Sequence, residues 1–144
     1  MNMKKSLFAV LLCMTAIMIV SCGKKKENTP QGVVEYNVYC LDNQDFEGFL
    51  DCYDWRNVDA DKNSKLEKLQ KAKDDGKLKD FHYELKVLEV EYQEFTNQHI
   101  VKTEITFTKL NETREEVFYV KDVDGEYKIA YGTGLWRALG LNYK

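Results

Sequence analysis

Proline and histidine are scarce in this chain, with one proline and two histidines among 144 residues. Proline-rich segments form extended, unpacked linkers, so the scarcity of proline argues against a stalk or linker protein. Clustered histidines and Cys-x-x-Cys pairs, which hold zinc in small domains, are both missing. The sequence therefore predicts a packed domain with no metal site and no other cofactor.

Basic residues are outnumbered, since 21 lysines and arginines stand against 24 aspartates and glutamates, for a net charge of −3. Part of the positive charge lies near the N-terminus, at Lys4, Lys5 and residues 24–26, so the remainder is more acidic still. Duplex binding relies on basic side chains that neutralise phosphates. We therefore expect no nucleic acid among the partners.

Only one long apolar run is present, over residues 7–20, and it follows Lys4 and Lys5. The run is shorter than the roughly 20 residues that a membrane-spanning helix needs. A positive tip followed by a short apolar stretch is typical of the core of a secretion signal. We therefore expect residues 1–21 to be a signal peptide whose apolar run forms a helix.

The end of this run resembles a bacterial lipobox, because Ile19, Ser21 and Cys22 fill its aliphatic, small and cysteine positions. The resemblance implies a diacylglyceryl thioether on Cys22, and two or three acyl chains hold a protein on a membrane far better than one. Residues 22–28 then read as the lipidated cysteine and a flexible tether. Because no aspartate follows Cys22, the resemblance also implies the outer membrane of a Gram-negative bacterium.

Two cysteines remain inside the expected domain of residues 29–144, namely Cys40 and Cys52. A cell envelope permits disulfides, but the two Cα atoms must lie within about 7 Å. If these residues stand on two antiparallel helices joined near Asn43, Cys40 faces Glu47 and Cys52 lies more than a turn away. A disulfide and a pair of buried thiols both remain open.

The first half of the domain has helical periodicity. Thr29 and Pro30 predict the start of one helix, and Asp45 predicts the cap of a second helix that includes Tyr53. A third helix is expected over residues 64–74, with its lysines on a solvated face. Gly76 is a suitable stop for it.

After residue 79 the apolar period changes from 3.6 to 2, which predicts four antiparallel strands. Adjacent apolar residues at Val87 and Leu88 break the alternation and indicate a β-bulge that bends the first strand. We therefore predict an α+β fold with three helices packed on a bent four-stranded sheet. The strands are expected at residues 81–92, 101–108, 113–121 and 126–131.

Turn lengths predict how the strands face each other. Asp124 and Gly125 indicate a hairpin between the third and fourth strands. A two-residue turn at positions 111 and 112 sets Ile105 opposite Phe118, and an even loop near residue 95 brings Tyr92 to the face of His99. One apolar face then runs through all four strands, and the carboxylates of Glu84, Glu89, Glu91 and Glu104 lie on the other face.

Three short motifs recur in a known family of small domains. They are Thr29-Pro30-x-x-Val33-Val34-x-Tyr36, Asp45-Phe46 and Asp124-Gly125-Glu126-Tyr127-Lys128-Ile129. With the three helices and the bent sheet, they resemble the nuclear transport factor 2-like superfamily, whose cone-shaped fold encloses a pocket, and in particular its small bacterial lipoproteins. The resemblance covers about residues 29–131 and implies the fold and the anchor, but no reaction.

Enzymes of this fold use an acid or base inside the cone. His99 has inward parity, so it is the one candidate base, and no catalytic residue is assigned. The residues with outward parity are His82, Glu84, Glu89, Glu91 and Glu104. Aromatic side chains at core spacing favour packing, yet tyrosine hydroxyls also suit a cavity. The candidate ligand contacts are Tyr36, Tyr53, Tyr92, His99, Tyr127 and Tyr131.

The leading interpretation is a non-enzymatic, membrane-anchored protein of the cell envelope that binds a small apolar ligand or a partner protein. One alternative is an enzyme of the isomerase or dehydratase type with His99 as its base. The other is a purely structural interaction subunit that forms a homodimer through the open sheet face.

Overall fold

The computed structural model describes residues 24–79, 82–136 and 139, in which three helices pack on one face of a five-stranded sheet. The predicted signal peptide and Cys22 lie outside the described residues. Within the described part, no helix has the length and apolar character needed to cross a membrane. The elements are α1 (Pro30–Asp42), α2 (Phe46–Asp51), β1 (Tyr53–Asp54), α3 (Lys62–Asp74), β2 (Tyr83–Gln93), β3 (Gln98–Phe107), β4 (Glu112–Val123), β5 (Glu126–Ala130) and a 3₁₀ turn (Gly134–Trp136).

Each helix begins at a side-chain cap. The hydroxyl of Thr29 accepts from the N–H of Gly32, and the carboxylate of Asp45 accepts from the N–H of Gly48. Asp61 caps α3, which therefore starts two residues before the predicted position. The stop at Gly76 is confirmed, since its φ of +71° reverses the chain after the last turn.

The sheet has the order β1-β5-β4-β3-β2, so the prediction of four strands was wrong by one. The additional strand β1 is short and runs parallel to β5, with Tyr53 opposite Ile129. Tyr53 was expected in the second helix, which instead ends at Asp51. A strand of two residues is too short to show an alternating pattern in the sequence, so it can be recognised only from its pairing with β5.

The bulge and the shared face of Tyr92 and His99 agree with the prediction, whereas the partner of Ile105 does not. The β2–β3 register shifts between Val87 and Glu89, and Tyr92 lies opposite His99. Ile105, however, lies opposite Arg114 rather than Phe118, because the β3–β4 turn is centred on residues 109 and 110 instead of 111 and 112, which moves the β4 partner by four positions. The register moved by an even number, so the inner face kept its side chains.

The helices cover the inner face of the sheet, defined by Val101, Ile105, Phe118, Val120 and Ile129, all fully buried. Against these residues lie the apolar side of α1 and the aromatic residues of α2 and the 3₁₀ turn. At about 25 cal/mol per Å² of apolar surface removed from water, this layer supplies the main stabilisation of the fold.

Residues 24–28 contact the domain, whereas the sequence predicted a flexible tether over residues 22–28. The side chain of Asn28 donates to the carbonyl of Gly125 at 2.9 Å and accepts from the N–H of Tyr127 at 3.0 Å. The ammonium of Lys26 lies 3.0 Å from the carboxylate of Glu126. These bonds fix the start of the described chain on the β4–β5 hairpin.

Candidate functional site

The six candidate ligand contacts lie in three separate places. Tyr92, His99 and Tyr127 come together near the β2–β3 turn. Tyr53 and Tyr131 belong to an aromatic cluster beside the 3₁₀ turn. Tyr36 lies apart on α1, against Tyr39 and Cys40. The structure therefore assembles only half of the predicted set into one group.

We call Tyr92, His99, Tyr127 and the adjacent Val90 the aromatic site. The ring of His99 lies between the two tyrosines, with centroid distances of 4.9 Å to Tyr92 and 5.6 Å to Tyr127. The hydroxyl of Tyr92 donates to the side-chain oxygen of Asn97 at 2.6 Å, which fixes its ring over the turn. The backbone N–H of Tyr127 donates to the side-chain oxygen of Asn28, which fixes the position of Tyr127.

The aromatic site is open because the helices cover only part of β2. The inner side chains of this strand become more exposed along its length, from 7% at Tyr83, which lies beside α1, to 41% at Val90 and 52% at Tyr92. Beyond them, Phe95 in the turn is 98% exposed. An apolar surface of this kind on the inner face offers rings for stacking and the edge of one imidazole for a hydrogen bond.

The interior between helices and sheet is filled by side chains near Tyr53 and Tyr131. Trp136 is buried and its ring lies 5.6 Å from that of Tyr53 and 5.3 Å from that of Tyr131, centroid to centroid. Phe49 and Trp55 complete the cluster. Tyr53, which is 2% exposed, and the partly buried Tyr131 therefore belong to this packed cluster, and Tyr53 also borders a groove at β1.

Lys65 of α3 also belongs to this cluster, although the sequence placed the lysines of the third helix on a solvated face. It is 4% exposed, and its ammonium lies 5.8 Å from the centroid of Tyr131 and 6.0 Å from that of Trp136. The rings attract the cation through their negative faces. No sequence signal separated Lys65 from its neighbours in a lysine-rich helix.

Cys40 and Cys52 are buried free thiols, which resolves the open alternative of a disulfide. Burial raises the pKa of Cys40 to about 11 and that of Cys52 to about 12. The hydroxyl of Tyr36 donates to the sulfur of Cys40, and this hydrogen bond raises the pKa of Tyr36 to about 12. Both thiols are therefore protonated and unreactive at neutral pH.

A groove of about 270 Å³ lies between α1 and the start of β2. Its walls carry Val38 and Tyr39 from α1 and Tyr83 and Leu85 from β2, and three charged residues also line it, namely Lys24, Glu35 and Asp42. We call it the edge groove, because β2 is the last strand of the sheet. It continues the inner face toward the aromatic site, along the same row of β2 side chains.

A second groove, of about 410 Å³, follows the opposite edge at β1, but its charges are already paired. Arg56 forms an ion pair with Asp54 and lowers the pKa of that carboxyl, and Lys62 pairs with Asp51. Because the cations of this groove already pair with carboxylates, we expect it to attract an anionic ligand only weakly.

The arrangement around His99 does not resemble an acid–base centre. Its contacts in the described chain are two aromatic rings, and none is a carboxylate that could orient the imidazole. The described residues also contain no group of three or more histidine, cysteine or carboxylate side chains able to hold a metal ion. The geometry suits stacking and binding rather than proton transfer.

Two solved structures are similar to this chain. An NTF2-like protein of unknown function from Cytophaga hutchinsonii has a TM-score of 0.44 and 12% identity, with 81% of this chain and 99% of that chain covered. AclR from Streptomyces galilaeus, for which a hydroxylase activity has been proposed, has a TM-score of 0.41 and 13% identity, with 78% and 96% covered. Because both TM-scores lie below 0.5, neither likeness decides the family or the activity. No family model and no curated protein matches the sequence.

Proposed function

We propose that this chain is a non-enzymatic lipoprotein of the bacterial cell envelope, anchored through Cys22, whose nuclear transport factor 2-like domain binds a small apolar ligand at the aromatic site. The observation that carries the binding role is the exposure of Val90 and Tyr92 on the inner face, beside the stacked ring of His99. Side chains on that face are normally buried, and their exposure marks a surface that gains free energy by being covered.

The chemistry of the site defines the ligand class. Tyr92, His99 and Tyr127 present rings, and Val90 presents a branched apolar side chain, so a flat, largely apolar molecule fits best. His99 and the hydroxyl of Tyr92 supply polar groups that orient such a ligand.

The anchor is supported by the lipobox pattern of Ile19, Ser21 and Cys22. Its test is metabolic labelling of the full-length chain in bacteria with an alkyne analogue of palmitate. We expect label on the wild-type chain and none on the Cys22→Ser variant. A Cys22→Ser chain that is labelled as strongly as the wild type would refute the anchor.

Binding is tested with indole as the probe, by saturation-transfer difference NMR on the full-length chain in detergent. Aromatic pairs contribute about 0.5–1.5 kcal/mol beyond area burial, so His99→Ala and Tyr92→Ala should each weaken binding roughly 2–10-fold. The matched control is Val117→Ala, which removes a partly exposed apolar side chain from β4 outside the aromatic site. Equal transfer in wild type and both site variants would contradict the proposed site.

A further inference from the structure

We propose that two copies of this chain associate edge to edge through β2, antiparallel about a two-fold axis, so that their sheets join. β2 is the outermost strand on its side of the sheet, and in the described part of the chain no strand pairs with its outer edge. It is also long, covering Tyr83–Gln93. A long open edge presents backbone donors and acceptors that a second strand satisfies.

One register makes this edge complementary to itself in charge. It places Lys86 of each copy opposite Glu91 of the second copy, and Glu84 opposite Gln93. Lys86 forms no ion pair in the described chain, although it lies opposite Glu104 of β3, and Glu91 lies 3.7 Å from the ammonium of Lys102 in its own chain. Lys86 and Glu91 are both exposed, so the contact between copies would give Glu91 a second cation. A register two residues away would still set Lys86 opposite a carboxylate, that of Glu89, but it would also set Glu84 opposite Glu91, and like charges opposite each other destabilise a strand pair.

The same register matches the apolar row of β2. Val87 meets Val90 of the second copy, and Leu85 meets Tyr92. The bulge between Val87 and Glu89 changes which residues face inward, but it lies at the centre of the pairing and is present in both strands. Because each strand changes face at its own bulge and the two bulges lie opposite each other, inner side chains meet inner side chains over the whole length.

The edge groove lies where Tyr92 of the second copy would be placed. In this register Tyr92 of one copy lies beside Leu85 of the other, and Leu85 forms a wall of the groove together with Val38 and Tyr39. The exposed end of each inner face thus reaches the open groove of the second copy. A two-fold axis repeats the contact, which makes the interface self-complementary. This inference depends on neither the anchor nor the ligand.

The experiment is disulfide trapping between two differently tagged full-length chains co-expressed in one cell. One chain carries Val87→Cys and the other carries Val90→Cys, and a lysate is oxidised and separated on a non-reducing gel. We expect a mixed dimer when both variants are present and none when either is expressed alone, because neither position faces itself. Replacing one partner with Val117→Cys, on β4, provides the control.

Charge reversal then tests the register. Lys86→Glu in both chains sets like charges opposite Glu91 and should lower the trapped fraction at least threefold, and Glu91→Lys added to both should restore it. Folding of each variant is checked by resistance to protease. Folded chains that never cross-link, or that cross-link equally through Val117→Cys, would overturn the proposal. A cross-linked fraction that is unchanged by Lys86→Glu would overturn the proposal as well.

Discussion

At the scale of single residues, Gly134 occupies a position that no other amino acid fits. Its φ is +68°, and a Cβ there would lie 2.2 Å from a ring carbon of the fully buried Phe118. We expect Gly134→Ala to lower the free energy of unfolding by about 3 kcal/mol, from roughly 1–2 kcal/mol of backbone strain and 1–3 kcal/mol of overpacking. Chemical denaturation measures this loss.

Gly76 is the matched control for Gly134. Its φ is +71°, but nothing lies within 4 Å of the place where a Cβ would stand. Gly76→Ala should therefore cost only the backbone strain, about 1–2 kcal/mol. Equal losses in the two variants would show that the contact with Phe118 contributes nothing.

The thiols of Cys40 and Cys52 should make stability depend on alkaline pH. Their pKa values in the folded chain, about 11 and about 12, lie above the value of about 8.5 for an unfolded thiol. The folded state therefore holds these protons more tightly, so the contribution is fully present below about pH 8 and is lost as pH rises toward 11. The Cys40→Ala, Cys52→Ala double variant should lose less stability between pH 8 and 10 than the wild type, measured by urea denaturation.

At the scale of elements, the buried amide of Asn37 joins α1 to α2 and β1. It donates to the carbonyl of Phe49 and accepts from the hydroxyl of Tyr53, both at 3.1 Å. Asn37→Leu keeps a similar volume but removes both bonds, and we expect a loss of about 1–3 kcal/mol in unfolding free energy. Gln31→Leu, which removes an exposed bond to Glu35 on the same helix, should change it by less than about 0.5 kcal/mol. A smaller loss for Asn37→Leu than for Gln31→Leu would contradict this role.

Elements with a repeated local signal could be predicted from the sequence. Alternation located the four long strands, and side-chain caps at Thr29 and Asp45 located two helix starts. The missed features depend on contacts between distant segments. Tyr53 became a strand residue only because β5 lies beside it, and the β3–β4 register depended on a turn whose length composition did not reveal.

At the scale of the whole molecule, parity predicted which residues share the inner face but not which of them the helices cover. His99 faces inward as expected, and so does Tyr53, yet one lies at an open surface and the other in the filled interior. Which inner side chains are covered depends on where α1 crosses the sheet. The position of α1 is fixed near its start by Asn28, which accepts from the N–H of Tyr127, and at its end by Asp42, which accepts from the N–H of Tyr83. The sequence could thus predict which face of the sheet carries the candidate site, but not which residues form it, and half of the predicted residues lie elsewhere.

The contact between Asn28 and the β4–β5 hairpin links the N-terminal segment to the domain as one body. Its side chain bridges the carbonyl of Gly125 and the N–H of Tyr127, and Lys26 adds an ion pair with Glu126. Trypsin can cleave after Lys26 only when this segment leaves the surface. Asn28→Ala removes two hydrogen bonds of about 1 kcal/mol or less each, so cleavage of the full-length chain there should become roughly 3–30-fold faster, followed by mass spectrometry.

Gln31→Ala serves as the control for this cleavage, because the Gln31 side chain donates its hydrogen bond to Glu35 on the same helix. Its cleavage rate should match the wild type, whereas a uniform increase in both variants would indicate general unfolding. An unchanged rate in Asn28→Ala would mean that the segment opens independently of the hairpin. The expected difference would instead show that Asn28 holds residues 24–28 against the β4–β5 hairpin.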